Sequence, residues 1–294
     1  MTLTLLNPTG GIFKHWGSWY FADMYNLPLI QFPAFGDPDP TDLPWWLHWV
    51  DSCPSTNTWA LTYADRLHHG AVVFTRRQTA GRGQHGRIWH SPSGVLTASF
   101  VLDFPTPQLS GLPLAIGLAA IYAIEDLLPD QQGKLQLKWP NDVVIAGRKV
   151  AGILCEATSS SGQTQIVAGI GLNRCVDFAQ AGLALEQIRN AISLHQVSSL
   201  IPEELVLLER LRHYLTQVRD IIAQKYNSPQ FSGIVSLFPE LHRRDGLRDR
   251  SITLELNGES IAGQAIGLDD QGQLLIQVPH GSVRSFTSGR VIQF

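Results

Sequence analysis

The chain has 294 residues, 44% hydrophobic and 16% charged, and a formal net charge of −3. That is enough chain for one large domain or a large domain with a small one, and too little charge to hold it on nucleic acid or a membrane surface. No apolar run reaches membrane-spanning length, no signal-peptide pattern opens the chain, and Cys53, Cys155 and Cys175 show no C-x-x-C spacing, so we expect a cytoplasmic protein with buried, inert thiols and neither a DNA nor a membrane partner.

Residues 1–45 read as an aromatic and proline-rich arm, with five of the eight tryptophans in the first fifty residues and no sustained period. Residues 46–245 read as the main domain. Within it, 55–70 begins with N-cap residue types and ends at Gly70, predicting a helix. "AVVFT" (71–75) and "VLTASFVLDF" (95–104) predict strands, and the apolar 112–128 predicts a helix covered on most sides. "LQLKW" and "DVVIA" predict strands, with "AGRK" as the turn into "VAGILCEAT", their hairpin partner. "TQIVAGIGLN" (164–173) predicts another strand, and 201–226 a long amphipathic helix with Glu early and basic residues late. Beyond the charged linker "RRDGLRD", residues 246–294 predict four short strands in a small all-β module. The class is α+β: a mixed sheet with flanking helices, then a compact β unit.

"QTAGRGQHGRIWHSPSG" (78–94) contains G-x-G-x-x-G at Gly81, Gly83 and Gly86. A dinucleotide-binding turn requires a helix opening at the third glycine. Here Pro92 and Gly94 follow instead, so no helix N-terminus is available for a pyrophosphate. What remains is a cationic loop whose glycines allow close approach, whose Arg82 and Arg87 offer forked donors to an anion, and whose Trp89 offers a flat ring face. Two further stretches lack an ordinary structural reason. In "KWPND" (138–142), Pro140 interrupts any ladder, which predicts a bend aiming side chains into a cleft. "GIGLN" (169–173) ends a strand in glycines.

"STN" (55–57), "QTAGRGQHGRIW", "KWPNDVVIAGRKVAGIL" (138–154) and "GIGLN", in this order and spacing, resemble the biotin–protein ligases, also called biotin–[acetyl-CoA-carboxylase] ligases. The last forty-odd residues look like that family's SH3-like C-terminal domain. The resemblance implies a class II synthetase-like catalytic domain with a small SH3-like barrel. It also implies ATP and Mg2+ as co-substrate and ion, biotin as substrate, and the biotin carboxyl carrier protein of acetyl-CoA carboxylase as partner; a homodimer stays open. The reaction would form biotinyl-5′-AMP and then transfer biotin to a lysine of the carrier. Carried over residue by residue, Ser55, Thr56, Asn57, Gln78, Arg82, Gly83, Gln84, Lys149 and Gly152 would surround biotin. Arg87, Trp89, Lys138, Asn141, Asp142, Lys149 and Asn173 would face ATP or the adenylate, with Trp89 and Asn173 at adenine. Lys149, Arg82 and Asp142 would carry the chemistry, Asp142 also serving Mg2+. The loop departs from the family's usual G-R-G-R-x-G-R in carrying Gln84 at the second arginine.

Two other readings stand beside this one. A lipoate–protein ligase shares the fold and chemistry, and "KWPND" with "KVAGIL" favours biotin over it. A biotin-sensing transcriptional repressor would need an N-terminal winged helix-turn-helix, which the pattern of residues 1–50 does not predict.

Overall fold

The computed structural model describes residues 43–104, 110–160, 163–182, 184–223 and 233–294. The expected arm over 1–45 lies almost wholly outside them. Its neighbour does not: Leu47–Trp49 forms strand β1, which pairs parallel with β2 (Val72–Thr75) at one edge of the main sheet. The sequence showed no strand there because three residues are too few to display a period.

Seven strands make this sheet in the order β1-β2-β3-β7-β6-β5-β4, with β3 at Val95–Phe104, β4 at Leu135–Lys138, β5 at Asp142–Ile145, β6 at Arg148–Ser160 and β7 at Gln163–Asn173. Every pairing except β1–β2 is antiparallel. The long central strands β3, β6 and β7 are the ones whose apolar, β-branched runs were legible in the sequence. They pair along their whole lengths, from Val95↔Asn173 to Phe104↔Thr164 and from Ala151↔Leu172 to Ser160↔Gln163.

Helix α1 spans Thr56–Thr62, much shorter than the helix expected over 55–70; a 3₁₀ turn at Ala64–Arg66 follows and the chain leaves helical geometry at Leu67. Ser55 stands at the N-cap position without capping; the Thr56 N–H is instead taken by Gln78 Oε1 at 2.8 Å. Helix α2 (Leu112–Leu127) is buried along nearly its whole length, as its mostly apolar sequence predicts, and a Cβ at Gly117 would lie 2.7 Å from Leu137 Cδ2. A short helix α3 (Leu185–Arg189) buries no residue, and helices α4 (Glu204–Ala223) and α5 (Phe238–Arg243) pack on α2.

The second sheet is antiparallel, ordered β11-β10-β9-β8-β12, with β8 at Ser251–Leu256, β9 at Glu259–Leu268, β10 at Leu274–Gln277, β11 at Val283–Phe286 and β12 at Arg290–Gln293. The fifth strand, β12, went unpredicted; it follows β11 after a three-residue turn and closes against β8. The segment before β8 is no loose linker. Arg244 and Glu125 form a buried bidentate pair at 2.6 Å for both bonds, and residues 244–246 exchange two backbone hydrogen bonds with Leu137 on the edge strand β4. Breaking such a buried pair costs about 3–5 kcal/mol. A solvated run of charge was the natural reading of "RRDGLRD"; burial of one arginine needs a carboxylate more than a hundred residues away, which local sequence does not show.

Candidate active site

The cavity lies on the open face of the main sheet, and its base is made by omission. Gly152 on β6 pairs with Gly171 on β7, which pairs with Thr97 on β3; beside this row, Leu154 pairs with Gly169 and Gly169 with Ser99. Alternation puts both rows on one face. A Cβ at Gly171 would lie 2.3 Å from the Trp89 ring, one at Gly152 would meet Trp89 at 3.1 Å and Lys149 Nζ at 2.8 Å, and one at Gly169 would lie 2.3 Å from Asn57 Oδ1. The glycines of "KVAGIL" and "GIGLN" therefore clear the space into which Trp89, Lys149 and Asn57 project.

At one end stands the N-terminus of α1. Thr56 and Asn57 are buried, and Ser99 Oγ lies 2.6 Å from Asn57 Oδ1 and 2.7 Å from Thr56 Oγ1. With its single proton given to the amide oxygen, Ser99 accepts from Thr56. That fixes the orientation of Asn57, whose Nδ2 donates to the Leu154 carbonyl at 3.0 Å and to Glu156 Oε2 at 2.9 Å. Gln78 ties the start of the glycine loop to this cluster through Thr56 and through a 3.0 Å bond to Ser91 Oγ.

The glycine loop is a small flap. Arg82 bridges Ile88, Gly83 N–H donates to Arg87 O at 2.7 Å, and Trp89 N–H donates to Gly81 O at 2.9 Å, with a 3₁₀ turn at Gln84–Gly86 as its tip. His85 and Gly86 both take positive φ there, 55° and 71°. No helix follows Gly86, in accord with the exclusion of a dinucleotide-binding turn. The flap is fastened to the sheet by Arg82 Nη2, 2.5 Å from Glu156 Oε2.

The opposite end is the bend between β4 and β5. Lys138 pairs with Asp142 across Trp139–Asn141, with the Trp139–Pro140 peptide cis. Asn141 Nδ2 donates to Ile153 O at 2.6 Å, and Asp142 Oδ1 forms an ion pair with Lys149 Nζ at 2.6 Å. Lys149 reaches Asp142 because of a register shift. Asp142 pairs with Gly152 and Val143 with Ala151, but Val144 pairs with Lys149, leaving Val150 extra. Without that bulge, Lys149 and Gly152, three apart, would face opposite sides of the sheet. The Lys149 backbone is pinned from outside by Asn190 O and the Ile192 N–H, and its ammonium lies 5.1 Å from the centroid of the Trp89 ring.

Of the residues singled out from the sequence, Ser55, Thr56, Asn57, Gln78, Arg82, Gly83, Gln84, Arg87, Trp89, Asn141, Asp142, Lys149 and Gly152 line this one cavity. Two do not. Asn173 is buried, its amide donating to the Lys149 and Ile192 carbonyls, so it braces the strand carrying Lys149. Lys138 lies outside the lining with Nζ 4.0 Å from the centroid of the Phe294 ring, and burial pushes its ammonium below the usual lysine range, with Lys149, Arg290 and Arg87 adding to the shift and Asp142 opposing it. The thiols also differ from expectation: Cys53 is buried, but Cys175 is exposed and Cys155 intermediate. Sequence reading missed Glu156, Thr97 and Ser99. For Glu156 a signal existed: it is four residues from Gly152 on an uninterrupted strand, hence on the same face.

The arrangement brings three cationic side chains, a buried amide and hydroxyl cluster and an indole face around one cavity. The indole Nε1 and Gln84 Oε1 are buried and without a hydrogen-bond partner among the described residues, groups left for a ligand to satisfy. Such a site suits two anions that must be held together while one attacks the other.

Residues 49–173 match the biotin/lipoate A/B protein ligase family, and residues 249–292 match the biotin protein ligase C-terminal domain. The bifunctional ligase/repressor BirA of Salmonella typhimurium is 30% identical, the match covering 81% of this chain and 71% of that protein. The biotin–[acetyl-CoA-carboxylase] ligase of Mycobacterium tuberculosis is 32% identical over 71% of this chain and 74% of its own. Among solved structures, the biotin protein ligase from Aquifex aeolicus in complex with biotin and ATP superposes with a TM-score of 0.69 at 25% identity, covering 83% of this chain and 97% of that one.

Proposed function

Because the chain belongs to the biotin/lipoate A/B protein ligase family, we infer that it is a biotin–protein ligase, activating biotin with ATP and passing it to a lysine of the biotin carboxyl carrier protein of acetyl-CoA carboxylase. The observation that carries this reading is the convergence of Lys149, Arg82, Arg87 and Asp142 with the Ser55–Asn57 cluster on one glycine-cleared face.

In the first half-reaction a carboxylate oxygen of biotin bonds to the α-phosphorus of ATP and the bond to pyrophosphate breaks. Biotin's ring end lies against Ser55, Thr56, Asn57 and Gln78, with Arg82, the Gly83 backbone and Gln84 closing over it. Its carboxylate extends past Gly152, where no side chain blocks it, toward Lys149. The nucleotide lies against Trp89, Asn141 and Asp142, with Arg87 on its phosphates. Lys149, held ready by Asp142, neutralises charge where carboxylate and α-phosphate meet. Two anions approach each other there, so preorganised cations supply much of the acceleration. In the second half-reaction the carrier's lysine nitrogen bonds to the acyl carbon and AMP leaves. Until then the flap keeps water from the mixed anhydride.

Among the described residues no group of three His, Cys, Asp or Glu side chains is placed to cage a metal. The Asp142 carboxylate in the cavity lining is a fitting donor for Mg2+, which binds through one or two carboxylates and the substrate's own phosphates. Asp142 would hold it, and when bound the ion would offset phosphate charge. No described helix is long and apolar enough to cross a membrane.

The test is incubation with biotin, α-labelled ATP and a carrier domain, scoring labelled adenylate and biotin on the carrier. Adenylate and carrier labelling with biotin are expected. Adenylate formation with lipoate and none with biotin would overturn the reading in favour of a lipoate ligase.

A further inference from the structure

A second cleft, of about 360 Å3, adjoins the cavity. Its lining includes Gln84 and His85 of the flap, Pro140 and Leu154 of the main domain, and Thr287 and Ser288 of the C-terminal module. Its position is fixed: Trp139 Nε1 donates to Gly272 O at 3.2 Å, and a Cβ on Gly272 would come within 2.8 Å of the Gly111 Cα. The two spaces are continuous in their walls, because Gln84 and Leu154 line both.

They differ in charge. The catalytic cavity is lined by Arg82, Arg87 and Lys149 and by the Asp142 carboxylate, with Arg82 and Lys149 ion-paired to Glu156 and Asp142. Among the described residues, the cleft is lined by no lysine, arginine, aspartate or glutamate, and His85 is its one titratable residue. An ammonium approaching through the cavity's own mouth would pass Arg87 and two ion-paired cations; through the cleft it passes none of these. At the junction stands the Gln84 carboxamide oxygen, buried and without a hydrogen-bond partner among the described residues. An arginine there would offer only donors and a positive charge, whereas Gln84 offers an acceptor.

We propose that this cleft is the passage by which the acceptor lysine reaches the acyl-adenylate, and that Gln84 Oε1 receives an N–H of its amine. The inference rests on the ligase reading and adds the route and the receiving group. The lysine ammonium first gives a proton to solvent. The free amine then forms the C–N bond, the acyl C–O bond to AMP breaks with its electron pair leaving on the phosphate, and the amide nitrogen sheds a second proton.

The test uses the full chain and separates the half-reactions. Biotin-dependent pyrophosphate exchange reports adenylation. Single-turnover discharge of preformed adenylate is then measured with a carrier domain and with hydroxylamine, a nucleophile small enough to need no passage. Ser288→Trp fills the cleft from the module side. It is expected to leave exchange and hydroxylamine discharge unchanged and to slow discharge to the carrier at least tenfold. Thr287→Arg is expected to slow carrier discharge, and Thr287→Glu to spare it. Gln84→Met, similar in size but without the acceptor, is expected to slow carrier discharge per adenylate formed more than hydroxylamine discharge. Carrier discharge at the wild-type rate in a folded Ser288→Trp protein would overturn the passage, and equal slowing with both nucleophiles in Gln84→Met would overturn the receiving role. Absence of biotin-dependent exchange in the wild type would sink the ligase reading itself, a separate outcome.

Discussion

Gly171→Ala is the substitution whose consequence the geometry specifies most closely. The added methyl would lie 2.3 Å from Trp89 Cε2 and Cζ2 and 2.6 Å from Nε1. Carbon atoms in comfortable contact stand about 3.5–4.0 Å apart, so a gap of more than about 1 Å must open. Strand β7 cannot supply it, because Gly171 is paired with Thr97 on one side and Gly152 on the other. The indole must move, and the flap stem with it, since the Trp89 N–H is bonded to Gly81 O. Insertions of this kind cost about 1–3 kcal/mol. The ring can swing toward the open cavity, so folding should bear the smaller part and nucleotide binding the larger. At about 1.4 kcal/mol per tenfold, KM for ATP should rise by roughly 10- to 100-fold. Pyrophosphate exchange over a range of ATP and biotin concentrations, with a thermal melt of the same preparation, measures both. Gly169→Ala is the internal contrast: its methyl meets Asn57 rather than Trp89, so KM for biotin should move instead. A folded Gly171→Ala protein with ATP KM within about twofold of wild type would refute the reasoning.

Lys149→Ala should lower adenylate formation by about 10² to 10³, the loss usual for one preorganised charge-stabilising group, and normal exchange by this variant would remove Lys149 from the mechanism. Glu156→Gln releases Arg82 but leaves an acceptor for Asn57; the pair is partly exposed, so the melt should change by less than about 1 kcal/mol, while KM for biotin rises severalfold, and an unaltered KM would show that Glu156 does not position the flap. Biotin with ATP should protect the flap, 78–91, from limited proteolysis relative to the free protein, and equal cleavage would count against closure over the adenylate. Burial holds the Asp245 carboxyl above its ordinary range, against opposing hydrogen bonds from Leu247 and Arg248. The folded state thus binds this proton more readily than the unfolded one, and the group's contribution to stability falls as pH rises above the ordinary carboxylate value. Asp245→Asn should therefore raise Tm at neutral pH, with a gain that shrinks as the buffer is made acidic; a gain independent of pH would show that ionisation is not the cause.

Much of this protein is written locally. The mostly apolar 112–128 reads as a covered helix, and 95–104 and 164–173 read as strands. "KWPND" announced a bend, Pro92 and Gly94 ruled out a helix after the glycine loop, and the order of the motifs identified the family. Other features depended on pairing. The short strand Leu47–Trp49 exists because β2 offers it an edge, and Arg244 is buried because Glu125 receives it. The place of Glu156 in the site follows from Asn57, 99 residues away in sequence, and from Arg82 on the flap. Above all, the face on which Lys149 emerges is set by one unpaired residue, Val150, between two strands. Side-chain parity along a strand is a local property, but a bulge is decided by the partner strand and by the segment at Asn190–Ile192 that grips Lys149 from outside. The motif names the lysine; long-range hydrogen bonding points it at the carboxylate.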